Sequence, residues 1–245
     1  MSTEPRIVVR DVAKHFTLRH TRTAKDWVVW NLRGRQARLS DDFVALHDIS
    51  FDVADGEALA LLGLNGSGKS TLLKLISGVM RTDTGSIRVR GKIAGLIEVG
   101  AGFHPDLTGR ENVFLNGAIL GMSERQITEK FDEIVAFSEI EDFIDTEVKF
   151  YSSGMFLRLA FAVAVHTDPD VFLVDEILAV GDEPFQRKCL AKIRELRAAG
   201  KALVIVSHDL EMVAKLCDRG ILLEHGRVVV DGPIETAVAT LRGNA

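Results

Sequence analysis

Three features of the sequence predict an α/β fold with a P-loop core. Residues 63–71 read GLNGSGKST, which fits G-x-x-x-x-G-K-[ST] at Gly63, Gly68, Lys69 and Ser70. Two continuous apolar runs, Val171–Val174 and Ala202–Val206, flank a helical pattern at Glu183–Ala198, as parallel strands buried on both faces would. Between the loop and these runs, about residues 99–165, Gly/Pro loops alternate with helical periodicity. The expected architecture is one domain, 1–245, in which the core carries an antiparallel β subdomain and a helical subdomain.

The elements follow in order. Residues 6–12 (RIVVRDV) read as a strand, 17–40 as a basic insertion, and 49–53, alternating Ile49, Phe51 and Val53, as a second strand entering an Asp55-Gly56 turn. Ala58–Leu62 is a buried-type strand, and TLLKLISGVM after the loop has apolar residues at helical spacing. Thr84-Gly85 reads as a turn, with short strands at 86–89 and 92–97. Helices are expected at 110–120, at 123–137 with Ser123 as N-cap and Gln126 three residues on, and from Gly154. After the two apolar strands, ILLEHGRVVVDG predicts a hairpin turning at His225-Gly226, then a short helix.

A hydrophobic content of 47% supplies a large core, and a net charge of -5 argues against a general nucleic-acid binder. No apolar run approaches the ~20 residues a bilayer-spanning helix needs, and MSTEPRIVVRD lacks the layout of a signal peptide, so a cytoplasmic chain is expected. Cys189 and Cys217 sit in no C-x-x-C pair and read as reduced thiols. Residues 17–40 hold six basic side chains against one acid, a local +5, together with Trp27 and Trp30. Such an island could face an anionic membrane leaflet or a lipid-linked pyrophosphate.

The chemistry starts at the loop. Glycines at 63, 66 and 68 let successive N–H groups turn toward phosphate oxygens, joined by the backbone of Asn65, Ser67 and Thr71 and by the positive end of the following helix. Lys69 reaches the β- and γ-phosphates, and the Ser70 hydroxyl can ligate Mg²⁺. The strand at 171–174 delivers Asp175 and Glu176 at its C-terminal end, beside the phosphate loop. Asp175 is placed to hold Mg²⁺ and Glu176 to polarise a water for in-line attack. The next strand ends in VSHD, so His208 stands at the same sheet edge as a γ-phosphate contact.

With YSSGM at 151–155 opening a helix ahead of VFLVDE, these motifs resemble, in order and over nearly the whole chain, the ATPase subunit of an ABC transporter. The resemblance implies that Ser152, Ser153 and Gly154 bind the γ-phosphate of ATP held by a second copy of the chain, and that Asp182, in AVGD, belongs to the loop crossing that interface. It also implies adenine stacking on Phe16 in VAKHF. The usual LSGGQ is here YSSGM, and Glu98 in IEVGAGFHPDLTGREN stands where a glutamine is usual. This pair of departures resembles the bacterial exporters of O-antigen, teichoic acid and related lipid-linked glycans such as galactan. A carboxylate at Glu98 can still ligate Mg²⁺. The resemblance implies ATP and Mg²⁺ as ligands, a homodimer, an integral membrane permease as partner, a lipid-linked polysaccharide handled by the complex, and a peripheral position on the cytoplasmic face of the bacterial inner membrane. It groups the chain with exporters that need no C-terminal carbohydrate-binding module. A soluble, non-transport ABC ATPase, or one serving another substrate, is the alternative reading; a small-molecule kinase would explain the loop but not YSSGM or VSHD.

Overall fold

The computed structural model describes residues 4–19, 40–95, 102–175 and 182–243. Two sheets form its frame. The first, in the order β2-β1-β4, is antiparallel and contains β1 (Ile7–Arg19), β2 (Ser40–Val53) and β4 (Thr84–Val89). The second has six strands: β5 (Ile93–Gly95), β6 (Val171–Val174), β7 (Ala202–Val206), β3 (Ala58–Leu62), β8 (Arg219–Glu224) and β9 (Arg227–Pro233), in that spatial order. Its first five strands pair in parallel, and β9 closes it through an antiparallel hairpin.

The continuous apolar runs are explained by burial on two faces. Ala58, Ala60 and Leu62 of β3, with Phe172 and Val174 of β6, face a core shared with α5 (Glu183–Ala198), α6 (Leu210–Leu216) and α7 (Ile234–Gly243). Leu59, Leu61, Val171 and Leu173 face the other way, onto α1 (Lys69–Ile76) and the antiparallel sheet's Ile7, Val9, Ile49 and Val53. Alternate residues therefore serve different cores, and no position on these strands can be polar.

Three helices, α2 (Gly109–Ile119), α3 (Glu124–Ser138) and α4 (Ser153–Val165), gather a third core around Val113, Ile127, Ile134 and Leu159. The predicted Ser123/Gln126 capping box forms: the Ser123 hydroxyl accepts the Gln126 backbone N–H at 3.3 Å, and the Gln126 side-chain Oε1 accepts the Ser123 backbone N–H at 2.9 Å. A second box, Thr108 with Glu111, starts α2 one residue before the expected 110; its T-x-x-E spacing is present in the sequence.

Several expectations are corrected. The strands expected at 6–12 and 49–53 extend to Arg19 and back to Ser40, because β1 and β2 keep pairing out to Arg19↔Ser40. Thr84 and Gly85 are not a turn but the first residues of β4; Gly85, at φ +75°, sits at a register shift where an added Cβ would lie 2.3 Å from the carbonyl oxygens of Arg10 and Asp11. The strand expected at 92–97 is Ile93–Gly95 within the described residues. The basic insertion's Trp27, Trp30, Arg33, Arg35 and Arg38 lie outside the described residues.

Candidate active site

The phosphate loop is shaped by contacts that exclude side chains. Gly63 has φ +144°, and a Cβ there would lie 2.3 Å from the Leu223 carbonyl oxygen and 2.5 Å from Ser67 Oγ. Gly68, at φ +106°, would drive a Cβ to 2.6 Å from Leu46 Cδ2. Gly66 has open space around it but φ +80°, a conformation that favours glycine. The loop is braced from behind by the β8–β9 turn: His225 and Gly226 both have positive φ, the Gly226 N–H donates to the Ser67 carbonyl at 3.1 Å, and the His47 N–H donates to the Gly226 carbonyl at 2.8 Å.

This loop ends on α1, whose N-cap Gly68 supplies no capping side chain and whose first turn contains no acid. An anion is thus favoured at that helix end by both backbone N–H groups and the helix dipole. Lys69 is buried, and its Nζ donates to the carbonyls of Gly63 at 2.8 Å and Leu64 at 3.1 Å, folding the ammonium over the loop. Ser67 is also buried, and its Oγ is without a hydrogen-bond partner. An unpartnered buried hydroxyl within a glycine loop that ends on an uncapped helix N-terminus fits a site whose polar complement is a phosphate. Asn65, Ser70 and Thr71 complete the loop and first turn, with Asn65 and Ser70 exposed.

The sheet carries the acidic and imidazole groups to the same edge. Leu61 pairs with Val206, and Val174 with Ile205, so Gly63, His208 and Asp175 all emerge at the C-terminal ends of parallel strands. Asp175 does not, however, stand on the strand next to the loop: β7 lies between, which puts it two strand spacings, about 10 Å, from β3. His208 is the nearer group. It is exposed and held in a tight turn, where the Asp209 N–H donates to Ser207 Oγ at 3.1 Å and the Asp209 side chain caps α6 by accepting the Glu211 and Met212 N–H groups. A cavity of about 320 Å³ joins Gly63, Leu64 and Asn65 to Ser207 and His208, with Leu241 and Arg242 of α7 on its far wall. Arg242 lies in no motif, and nothing in its sequence surroundings links it to the loop.

The remaining predicted residues are apart from the loop. Ser152 is the N-cap of α4, its hydroxyl accepting the Met155 N–H at 3.2 Å; Ser152 and Ser153 are exposed and Gly154 half-buried. Like α1, α4 has no acid in its first turn. Asp182, at the N-cap of α5, accepts from Arg158 Nη2 at 2.5 Å, and Arg158 also donates to Glu139 at 2.7 Å, so α4 is tied to the start of α5. Phe16 lies inside β1, not after it, opposite Phe43 of β2; it is half-buried, with Lys14 Nζ 5.7 Å from its ring centre. Glu98 and Glu176 lie outside the described residues.

The sequence profile of the family described as "ABC transporter" matches residues 46–179, more than half of the chain and the stretch that contains both the phosphate loop and Asp175. The chain belongs to the ABC transporter family. Membership makes it a nucleotide-binding ATPase. This cassette is 41% identical to the O-antigen export system ATP-binding protein RfbB of Klebsiella pneumoniae over 237 residues, covering 96% of each chain. It is 41% identical to the teichoic acids export ATP-binding protein TagH of Listeria innocua over 223 residues, covering 91% of this chain and 65% of that one. The chain spans 52% of the length of the O-antigen export system ATP-binding protein RfbB of Myxococcus xanthus, to which it is 47% identical. The fold superimposes with a TM-score of 0.73 on the ATP-binding cassette MJ0796 in a dimeric post-hydrolysis state bound to ADP and Pi, covering 93% of this chain and 98% of that one at 22% identity.

Proposed function

We propose that this cassette hydrolyses ATP to drive export of a lipid-linked cell-envelope polysaccharide, working as a homodimer on the cytoplasmic face of the bacterial inner membrane beneath an integral permease. The observation that carries the reading is the 41% identity with the Klebsiella O-antigen export subunit across 96% of both chains. Matches to subunits named for O-antigen and for teichoic acid support the class of polymer without selecting one. No helix among the described residues is long and apolar enough to cross a membrane, in keeping with a separate permease.

At the site, the N–H groups of residues 63–71 and the α1 dipole bind the β- and γ-phosphates, and Lys69 exchanges its loop carbonyls for phosphate oxygens. Ser70, Asp175 and Glu98 are the oxygen donors that would hold Mg²⁺, which would supply charge neutralisation to the transferring phosphoryl group. Glu176 orients and deprotonates the attacking water, while His208 donates to the γ-phosphate from the adjacent strand end. The exposed Ser152 and Ser153, with the half-buried Gly154, reach the γ-phosphate on the other copy, where Asp182 lines the interface, and Phe16 stacks on the adenine. The test is ATP hydrolysis by the purified complex with a panel of lipid-linked oligosaccharides. One class should stimulate turnover; indifference to all of them overturns the export reading.

A further inference from the structure

Tyr151, immediately before the exposed serines, has no part in the function argued above. Its ring packs on the core of α2, α3 and α4, and its hydroxyl donates to the Phe143 carbonyl at 2.8 Å. The same carbonyl accepts the Thr146 N–H at 2.9 Å. Burial, and secondarily Asp145, push the phenol up to about 12, so the hydroxyl remains a donor at physiological pH. Gly109, the first residue of α2, is fitted against this group: a Cβ there would lie 2.1 Å from the Tyr151 hydroxyl and 3.0 Å from the Ile144 carbonyl oxygen.

A backbone ladder runs from that point. The Arg110 N–H donates to Ile144 at 2.8 Å, Gly109 to Thr146 at 3.1 Å, Val148 to Leu107 at 2.9 Å and Lys149 to Pro105 at 2.9 Å, with Thr108 and Glu147 in an antiparallel bridge. The Arg110–Asp145 pair, at 2.7 Å, and the Lys149–Asp106 pair, at 3.2 Å, flank it. Residues 105–110 and 144–149 therefore form one stiff ribbon, and the chain leaves it through Phe150 and Tyr151 into Ser152. The Ser152 hydroxyl bond to Met155 caps α4 but holds it to nothing outside the helix. Tyr151 makes an outside connection at the N-terminal end, beside the Phe103–Phe156 ring contact and ahead of the Arg158 pairs.

We propose that Tyr151 is a positioning residue, whose hydroxyl bond to Phe143 and fit against Gly109 hold Ser152 and the start of α4 in fixed orientation on the 105–110/144–149 ribbon. The inference rests on the reading of Ser152–Gly154 as the contact to γ-phosphate on a second copy. A phosphate-binding helix end accelerates a reaction only if it is aimed before the phosphate arrives, and exposed serines cannot aim themselves.

The test is a double-mutant cycle in steady-state ATP hydrolysis by the full chain: Tyr151→Phe, Ser152→Ala, and both. Loss of one neutral hydrogen bond should lower kcat about 2- to 13-fold in Tyr151→Phe, with KM for ATP unchanged. ADP affinity of Tyr151→Phe should match that of the unaltered chain. In the Ser152→Ala background, Tyr151→Phe should cause no further loss, because the group it aims is gone. Equal losses in both backgrounds would mark general structural damage and overturn the proposal, as would an undiminished kcat in Tyr151→Phe while Ser152→Ala is impaired. If Ser152→Ala hydrolyses ATP normally, the reading of the serines falls, and the role of Tyr151 with it.

Discussion

Glycine 63 shows how little freedom single positions of this cassette have. Its left-handed φ and the 2.3 Å approach of the Leu223 carbonyl leave no place for a methyl group, so Gly63→Ala should cost about 1–3 kcal/mol and weaken ATP binding at least about tenfold. Thermal unfolding and calorimetric titration measure the two, and normal values in both would refute the packing argument. His166 is buried with its Nδ1 2.6 Å from the Ala162 carbonyl oxygen and its ring edge-on to Phe137. Burial holds its pKa below the ordinary value, with Lys192 and Lys130 acting in the same direction against the Ala162 bond and Glu133. The folded state therefore keeps the imidazole neutral, while the unfolded chain takes up a proton near pH ~6.5. Stability from this group is complete above that pH and lost as the pH falls below it. Urea midpoints of the protein should decline through this window, and His166→Leu should flatten that limb. Burial also pushes both thiols, Cys189 and Cys217, up to about 12. Neither should react with Ellman's reagent until the protein unfolds; a stoichiometric reaction in buffer would contradict the burial.

At the scale of elements, β6 is buried along its whole length. Its four residues are fully buried, and Phe172 sits among α5, β7 and the edge of α4. Phe172→Ala should destabilise the protein by about 3–5 kcal/mol, read as a lower denaturant midpoint at unchanged m-value, and should also displace Asp175 three residues on. Strands of this kind were legible in the sequence, with Ala58–Leu62, Val171–Val174 and Ala202–Val206 found to the residue, because burial on two faces leaves an uninterrupted apolar run. So was the Ser123/Gln126 capping box, a purely local bond pattern. The β1 and β2 lengths were not, because Phe16, Thr17 and their partners are held by cross-strand pairing that composition does not encode. The β4 start was misread for a related reason: Thr-Gly is turn chemistry locally, but here the glycine admits a bulge against Arg10 and Asp11.

For the whole molecule, the bonds between the two sheets are long-range ones. Arg219 joins the sheets, donating to the Asp52 carbonyl at 2.8 Å and pairing with Glu57 at 3.0 Å and Asp231 at 2.5 Å. The proposed working unit is two such molecules with ATP between them. A Glu176→Gln chain mixed with Mg-ATP should therefore elute as a dimer in size-exclusion chromatography, and ADP should leave it monomeric. A persistent monomer in saturating ATP would count against the sandwich.

What this sequence determined by itself was a set of candidate groups and their carriers: the glycine loop, the buried strands, Asp175 and His208 just past strand ends, and the serines at a helix start. Each is specified by residues adjacent along the chain, so spacing alone expresses it. The tertiary structure decided their arrangement. It placed β7 between Asp175 and the loop, brought Arg242 to the wall of the His208 cavity, set the Gly226 turn behind Ser67, and locked Tyr151 against Gly109 and Phe143. These are pairings of residues far apart in sequence, chosen by which surfaces can be buried together, and no local pattern records them.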